Sequence, residues 1–145
     1  DLLESRGLGD VYKRQEAARS MVLSGAELLL YPTAIGGEPE DDGFDSSDMW
    51  QRAMIGNSAS NQIPVIASNR IGTEKGIDIE NYFYGRSFVT NHVGDKIAEG
   101  SRDKEEVLIG KINLSEAETL RNVWGVFRDR RPELYKGLLN LDGSE

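Results

Sequence analysis

The segment Ala26–Gly36, with the sequence AELLLYPTAIG, constrains the fold more than any other part of the chain. Its apolar run lies between Gly25 and Pro32, and a short run with such boundaries is more typical of a core strand than of a helix. In open α/β sheets, ligands bind just beyond the carboxyl ends of the strands. The first candidate site residues are therefore Tyr31, Pro32, Thr33 and Ala34, although a strand that simply turns at a proline is the commoner arrangement.

A helix is predicted on each side of this strand. Glu16–Ser24 has its apolar residues on one side and is followed by Gly25, a residue suited to a left-handed helix end. Ser47–Asn61 shows near-helical spacing of Trp50, Ala53 and Met54, and either Asp45 or Ser46 can cap it. The middle of that helix consists of small residues, which allow another backbone to approach closely.

A second buried strand is predicted at Val65–Asn69, directly after Pro64. Strand, helix and strand within about 40 residues form a β-α-β unit with a right-handed crossover. Asn69 and Arg70 would then end their strand at the same sheet edge as Pro32–Ala34. Arg70 could bind a substrate carboxylate there, but pairing with a loop carboxylate is the commoner role of such an arginine.

The C-terminal third is predicted to hold short antiparallel strands and a final helix. The strands are placed at Ser87–Thr90, Lys96–Glu99 and Val107–Ile112, and His92 is placed in a turn between the first two. Ser115 and Glu118 form an S-x-x-E capping box, and the apolar face that follows consists of Leu120, Val123, Trp124 and Phe127. Pro132 can begin a short helix through Leu139.

Composition excludes several classes of function. The 145 residues fit one domain, and no apolar run approaches the roughly 20 residues of a membrane span. The chain has no cysteine, which excludes disulfides, thiolate zinc sites and a cysteine nucleophile within these residues. A net charge of -8 argues against nucleic acid as a partner. No phosphate-binding loop, metal-binding histidine pair or serine-elbow motif is present.

Six carboxylates lie within eleven residues without a Lys or Arg among them. A solvated loop leading into a helix start explains such a cluster most simply, because carboxylates favour helix N-termini. The alternative is an acidic rim that attracts a cationic ligand. The residues are Glu38, Glu40, Asp41, Asp42, Asp45 and Asp48.

Several of these segments together resemble the carbon-nitrogen hydrolase (nitrilase) superfamily. They read EAARSMVLSGAELLLYPTAIGGEP, WQRAMIGNSASNQIPVIASNRIG, FYGRSF and WGVFRDRRPELY, in unbroken order from Glu16 to about Gly143. Within the superfamily the chain is most similar to the amidases that act on N-carbamoylputrescine. The resemblance implies an α/β fold in which residues 16–145 form the C-terminal half of a four-layer α-β-β-α sandwich. Residues 1–15 show no periodicity and resemble translated sequencing-adaptor text, so we exclude them as an artefact.

The chemistry that the resemblance implies uses a Glu-Lys-Cys triad and no metal or cofactor. A thiolate attacks the carbamoyl carbon, a carboxylate moves protons and a lysine holds the oxyanion. The products would be putrescine, ammonia and carbon dioxide. The family's cysteine aligns with Gly9, and its Glu and Lys would lie further upstream, so we expect this chain alone to be inactive.

The resemblance also assigns roles to residues that are present. Pro32, Thr33 and Ala34 would line the substrate cleft, with Tyr31, Asn69 and Arg70 as supporting residues. A substrate with a distal ammonium would be bound by acidic residues, for which Glu38, Asp41 and Asp42 are the candidates. We expect a cytoplasmic protein that acts on a small carbamoyl amine and forms a homo-oligomer through its C-terminal tail. A β-ureidopropionase or other N-carbamoyl amidohydrolase is the alternative, and a non-catalytic binding or assembly module is the second.

Overall fold

The computed structural model describes residues 15–37, 43–77, 80–141 and 143. Gly9, Glu38, Asp41 and Asp42 lie outside the described residues. Three α-helices are present in the described part, namely α1 (Gln15–Leu23), α2 (Ser47–Asn61) and α3 (Leu114–Trp124). The seven strands are β1 (Leu29–Thr33), β2 (Gly36–Gly37), β3 (Val65–Asn69), β4 (Ile71–Lys75), β5 (Glu80–Tyr84), β6 (Phe88–Thr90) and β7 (Lys96–Glu99). Two 3-10 turns, Pro132–Leu134 and Lys136–Leu139, follow α3.

The main sheet confirms the predicted β-α-β unit. Its strand order is β1-β3-β6-β7, and β1 and β3 run parallel with Leu29 opposite Val65 and Thr33 opposite Asn69. Helix α2 connects them over the predicted range. Because β1 is an edge strand, its inclusion of Pro32 removes no hydrogen bond that a central strand would need. Strands β6 and β7 add antiparallel partners.

A second, three-stranded sheet was not predicted. Its order is β2-β5-β4, and β4 and β5 form an antiparallel hairpin from Ile71 opposite Tyr84 to Lys75 opposite Glu80. Strand β2 pairs with β5 at Gly36 and Gly37. A Cβ atom on Gly36 would lie 2.1 Å from the Tyr82 carbonyl oxygen, so only glycine fits this close approach. Strands β2 and β4 of this sheet follow β1 and β3 of the main sheet within three residues along the chain.

The core lies between the main sheet and helices α1 and α2. Trp50 and Met54 of α2 contact this core together with Phe88 of β6, and the Trp50 and Phe88 rings meet edge to face at 5.5 Å. Ala18 and Val22 bring α1 onto the same cluster. The opposite face of the sheet is less covered, since Leu30 is 65% exposed and Ile97 39% exposed.

At the start of α2 the N-cap residue is Ser46, whose side chain makes no capping hydrogen bond, and Asp45 binds the first helical amide from one residue before it. The Ser47 amide donates to Asp45 Oδ1 at 2.9 Å. At α3 the prediction of a Ser115/Glu118 capping box is wrong. Asn113 Oδ1 accepts from the Ser115 amide at 3.1 Å and Asn113 Nδ2 donates to Glu116 Oε1 at 2.9 Å, because the helix starts two residues earlier than the box requires.

The two C-terminal apolar patterns have different outcomes. The predicted α3 face is partly packed in the described residues, since Ala117 is buried and Phe127 packs against the core cluster, while Val123 and Trp124 are 72% and 70% exposed. The segment 107–112 is not a strand. Val107 and Ile109 are both nearly 90% exposed, so the alternating side chains have no second surface to bury against. His92 lies in the β6–β7 turn, as predicted.

In the part of the chain that the structure describes, none of the helices combines the length and apolarity that a membrane crossing requires. The same residues contain no group of three or more His, Cys, Asp or Glu side chains that could hold a metal ion.

Candidate functional site at the ends of two parallel strands

Thr33 and Asn69 mark the point where the two parallel strands end side by side. They are register partners, and the Thr33 hydroxyl donates to Asn69 Oδ1 at 3.0 Å, with the Ser68 carbonyl as a second acceptor at 3.1 Å. The Arg70 amide donates to the Thr33 carbonyl at 3.2 Å and continues the pairing by one residue. The structure therefore brings together the two predicted halves of the site at one sheet edge.

The Asn69 carboxamide ties three chain segments together at this edge. Its Oδ1 accepts from the Ile35 amide at 2.8 Å, and its Nδ2 donates to the carbonyls of Ile35 and Gly85, both at 3.0 Å. Its backbone amide donates to the Ser87 hydroxyl at 2.9 Å. Since all these groups are backbone or neutral side chains, Asn69 supports the edge and offers no group for chemistry.

Pro32 and Ala34 are exposed at the same edge, and Thr33 between them is half-buried. Strand alternation explains this pattern, because successive side chains point to opposite faces. Tyr31 is buried on the helix-facing side, where Asn57 Nδ2 lies 3.3 Å from its hydroxyl oxygen. Burial raises the pKa of the Tyr31 hydroxyl, and the hydrogen bond from Asn57 offsets part of that rise. Tyr31 thus supports strand β1 from the helix-facing side of the sheet.

Arg70 faces solvent and already holds a carboxylate. Its Nη1 lies 2.5 Å from Oε2 of Glu74, which is four residues further along the chain in strand β4. Its guanidinium carbon lies 4.5 Å from the centre of the Phe83 ring. About half of each charged side chain is exposed, so the ion pair alone adds little stability. The stacking and the pairing together fix the orientation of the guanidinium. Of the two predicted roles, the structure shows the pairing with a carboxylate of the chain, although Glu74 lies in strand β4 and not in a loop.

A small cavity adjoins Asn69 and Arg70. Its volume is about 260 Å³, and Ser87, Lys104 and Glu105 also line it. Both signs of charge are present on the lining. The cavity could admit a short polar group rather than a bulky apolar one.

A network centred on Arg86 was missed by the sequence reasoning. The Arg86 guanidinium contacts Asp48 at 2.5 Å, Gln51 Oε1 at 2.9 Å and Glu99 at 3.3 Å, which joins the start of α2 to strand β7. The hydrogen bond to Asp48 raises the pKa of Arg86 and lowers that of Asp48. Arg86 follows Gly85, and both have positive φ angles. The glycine in FYGRSF was the available sequence signal.

The six carboxylates between Glu38 and Asp48 form an acidic segment, and its C-terminal part is held by hydrogen bonds and an ion pair. The Tyr84 hydroxyl donates to the Phe44 carbonyl at 3.3 Å and accepts from the Ser46 amide at 3.4 Å. Arg102 pairs with Asp45 at 2.5 Å. The entry of the segment is held by β2, which pairs with the same strand β5 that carries Tyr84. Both ends of the acidic segment are therefore attached to β5 or its neighbours.

The model of the carbon-nitrogen hydrolase family matches residues 14–122. The chain belongs to the carbon-nitrogen hydrolase family. It is 55% identical over 120 residues to a citrullinase of Francisella tularensis, and 52% identical over 134 residues to an N-carbamoylputrescine amidase of Solanum tuberosum. These matches cover 83% and 89% of this chain but 42% and 44% of the relatives.

A solved structure of a carbon-nitrogen hydrolase from Helicobacter pylori shares the fold. The TM-score is 0.83 at 37% identity, with 90% of this chain and 47% of that chain covered. This carbon-nitrogen hydrolase chain thus spans less than half the length of the relatives it matches.

Proposed function

We propose that this chain is the C-terminal part of an amidohydrolase that converts N-carbamoylputrescine to putrescine, ammonia and carbon dioxide. The observation that carries the proposal is the 52% identity to the potato N-carbamoylputrescine amidase across 89% of this chain. In the reaction, a thiolate from the upstream part attacks the carbamoyl carbon and ammonia leaves. Water then releases a carbamate, which loses carbon dioxide to give the amine. Pro32, Thr33 and Ala34 would line the cleft for this substrate.

The state of Arg70 supports a substrate without a carboxylate. The guanidinium is paired with Glu74 and stacked on Phe83, so a carboxylated substrate would have to displace an existing anion. The cationic end of carbamoylputrescine needs carboxylates instead. We assign this role to the acidic segment, with Glu38, Asp41 and Asp42 as the candidates, because both ends of that segment are attached at the site edge.

A citrulline-type substrate is the second candidate, and the 55% identity to a citrullinase favours it. Citrulline carries the same terminal ureido group on an alkyl chain, together with an α-amino group and a carboxylate. A β-ureido acid shares the carboxylate but has no ammonium. The three substrates therefore test separately for recognition of the ammonium and of the carboxylate.

The deciding experiment measures ammonia release by the full-length protein from N-carbamoylputrescine, citrulline and β-ureidopropionate. The proposal expects the highest kcat/KM on N-carbamoylputrescine. A higher value on citrulline would transfer the assignment to a ureido amino acid, and a higher value on β-ureidopropionate to a β-ureidopropionase. No turnover of any of the three, with a cysteine present in the upstream part, would favour a non-catalytic binding or assembly module.

The chain by itself is proposed to be inactive. It contains no cysteine, and the position that aligns with the family's nucleophile is Gly9. We assign residues 16–145 to the hydrolase and treat residues 1–15 as foreign to it. Ammonia release by the isolated chain above the uncatalysed rate would contradict this assignment.

The exposed face of the main sheet supports a four-layer α-β-β-α sandwich for the whole protein. Leu30 and Ile97 lie on strands of that sheet, and Val107 and Ile109 follow in the next segment, all with substantial exposure. Apolar residues exposed over several neighbouring segments mark a surface that another element covers. The sheet of the upstream half would supply that cover.

A further inference from the structure

Arg19 of α1 lies where three elements meet. Its Nη2 donates to the Ser60 carbonyl at 2.7 Å, in the last turn of α2. Its guanidinium carbon also lies 4.7 Å from the centre of the Phe127 ring, in the segment that follows α3. The last carbonyls of a helix have no partner within it, so the arginine satisfies an acceptor that α2 leaves free. One side chain thus connects both core helices to the C-terminal segment.

Part of the Arg19 guanidinium is shielded from solvent, and the Phe127 ring lies against it instead of water. The Nη1 atom of Arg19 is buried and has no hydrogen-bond partner among the described residues. Burial lowers the pKa of the guanidinium, and the neighbouring Arg130 lowers it further. A guanidinium is weakly hydrated and stacks well on an aromatic face, which makes it suited to such a position. Lysine would not reproduce this contact.

The chain turn after α3 delivers Phe127 to this position. Helix α3 ends at Gly125, which has a φ of +66°, and the Asp129 amide donates to the Gly125 carbonyl at 2.8 Å. This closes a tight loop whose middle residue, Phe127, packs against the hydrophobic core cluster. A residue other than glycine at position 125 would be strained by its positive φ. The geometry of the loop is therefore specified locally.

We propose that Phe127, acting through Arg19, is a positioning residue that holds helix α1 in its catalytic register. The proposal rests on the proposed function, in which the nucleophile precedes Glu16. Arg19 is three residues after Glu16, a distance of about 4.5 Å along the helix axis. A shift of α1 would therefore be transmitted to the residues that enter it. A misplacement of about 1 Å at a reacting group can cost roughly a hundredfold in rate.

The catalytic test uses the full-length protein with its upstream residues. Phe127→Leu should lower kcat at least about tenfold while KM for the ureido substrate changes less than about twofold. Phe127→Tyr keeps the ring and should retain the wild-type kcat. Arg19→Lys should match Phe127→Leu, and the double variant should be no worse than either, because both changes remove one contact. Asn122→Ala, at an exposed polar position of α3, is the control and should leave kcat unchanged.

A second measurement does not depend on activity. Hydrogen exchange in the 145-residue chain should be faster for the α1 amides in Phe127→Leu than in Asn122→Ala, by about tenfold. Equal exchange rates would overturn the proposal. Faster exchange with an unchanged kcat would also overturn it, since α1 would then move without affecting catalysis. An inactive wild-type protein would instead refute the proposed function, and the exchange result would still decide whether Phe127 holds α1.

Discussion

Replacing Asn69 with alanine tests whether its carboxamide holds the site edge together. The change removes four side-chain hydrogen bonds, to Thr33, Gly85 and both backbone groups of Ile35. Two of these partner groups, the Thr33 hydroxyl and the Ile35 carbonyl, keep another hydrogen bond when Asn69 is removed. The Thr33 hydroxyl can donate to the Ser68 carbonyl, and the Ile35 carbonyl still accepts from the Tyr84 amide. The Ile35 amide and the Gly85 carbonyl lose the bonds that Asn69 provides.

The expected loss follows from those two groups. A fully buried group without a partner costs about 1–3 kcal/mol, and Ile35 is only half-buried, so we expect Asn69→Ala to lower the free energy of unfolding by about 2–3 kcal/mol. Urea denaturation followed by tryptophan fluorescence measures this, with the m-value as a check that the denatured state is unchanged. The control is Asn91→Ala. Asn91 also accepts two backbone amides, from Val93 and Asp95, but in an exposed turn where water can replace it, so its loss should stay below about 1 kcal/mol.

Asn69→Asp sharpens the same test. The carboxylate would place a negative oxygen where Nδ2 now donates to the carbonyls of Ile35 and Gly85. Folding would then favour the protonated acid and raise the pKa of the introduced carboxyl group, so the variant should lose stability as pH rises and recover as pH falls. The reasoning is refuted if Asn69→Ala costs no more than Asn91→Ala, or if the stability of Asn69→Asp shows no such pH dependence.

Three further predictions concern charge and exposed surface. In the full-length protein, Glu74→Gln frees the Arg70 guanidinium to bind a substrate carboxylate. The ratio of kcat/KM on citrulline to kcat/KM on N-carbamoylputrescine should therefore rise about tenfold. An unchanged ratio would show that Arg70 does not contribute to substrate specificity. Burial raises the pKa of Glu99, but hydrogen bonds from Lys96 and Gln51 outweigh it and the net pKa is lowered. Stability from Glu99 is therefore present above its unfolded pKa and lost as acid titration passes below about pH 4. Lys96→Gln should flatten that acid limb in urea titrations at several pH values. The isolated chain should self-associate in sedimentation experiments through its exposed sheet face, and Leu30→Thr should weaken this; a monomer at all concentrations would contradict the half-sandwich.

The parts of the fold that sequence reasoning found are those with strong local signals. Helix α2 was predicted at its exact range because Asp45 precedes it, Pro64 follows it and the apolar spacing between them is regular. The parallel pairing of β1 and β3 followed from the right-handed β-α-β rule. The hairpin of β4 and β5 was missed since its first strand, Ile71–Lys75, is mostly exposed and has no alternating apolar pattern. Its pairing depends on the neighbouring β2 and on the tight approach at Gly36.

The exposed apolar residues of α3 and of 107–112 have a common physical explanation. Both segments carry apolar patterns typical of packed elements, yet Trp124, Val107 and Ile109 are exposed in this chain. A hydrophobic pattern predicts that a face is covered but not what covers it. The chain spans less than half the length of its relatives, so the covering surface belongs outside the described residues in our proposal. The apolar face of α3 was predicted without a specified partner, whereas the pattern at 107–112 was wrongly interpreted as a strand.

Asn69 and Arg70 were predicted as one supporting pair, and the structure separates them. Residues 69 and 70 point to opposite sides of the strand end, so that Asn69 bonds to segments 34 and 16 residues away while Arg70 faces solvent beside Glu74. No local pattern could show this, because the partners of Asn69 are brought to it by two turns of the chain. The consequence for function is a division of roles. The hydrogen-bonding atoms of the Asn69 carboxamide are all occupied, whereas Arg70 keeps about half of its side chain exposed. Under the proposed function, a substrate carboxylate would therefore have to displace Glu74 to reach this guanidinium.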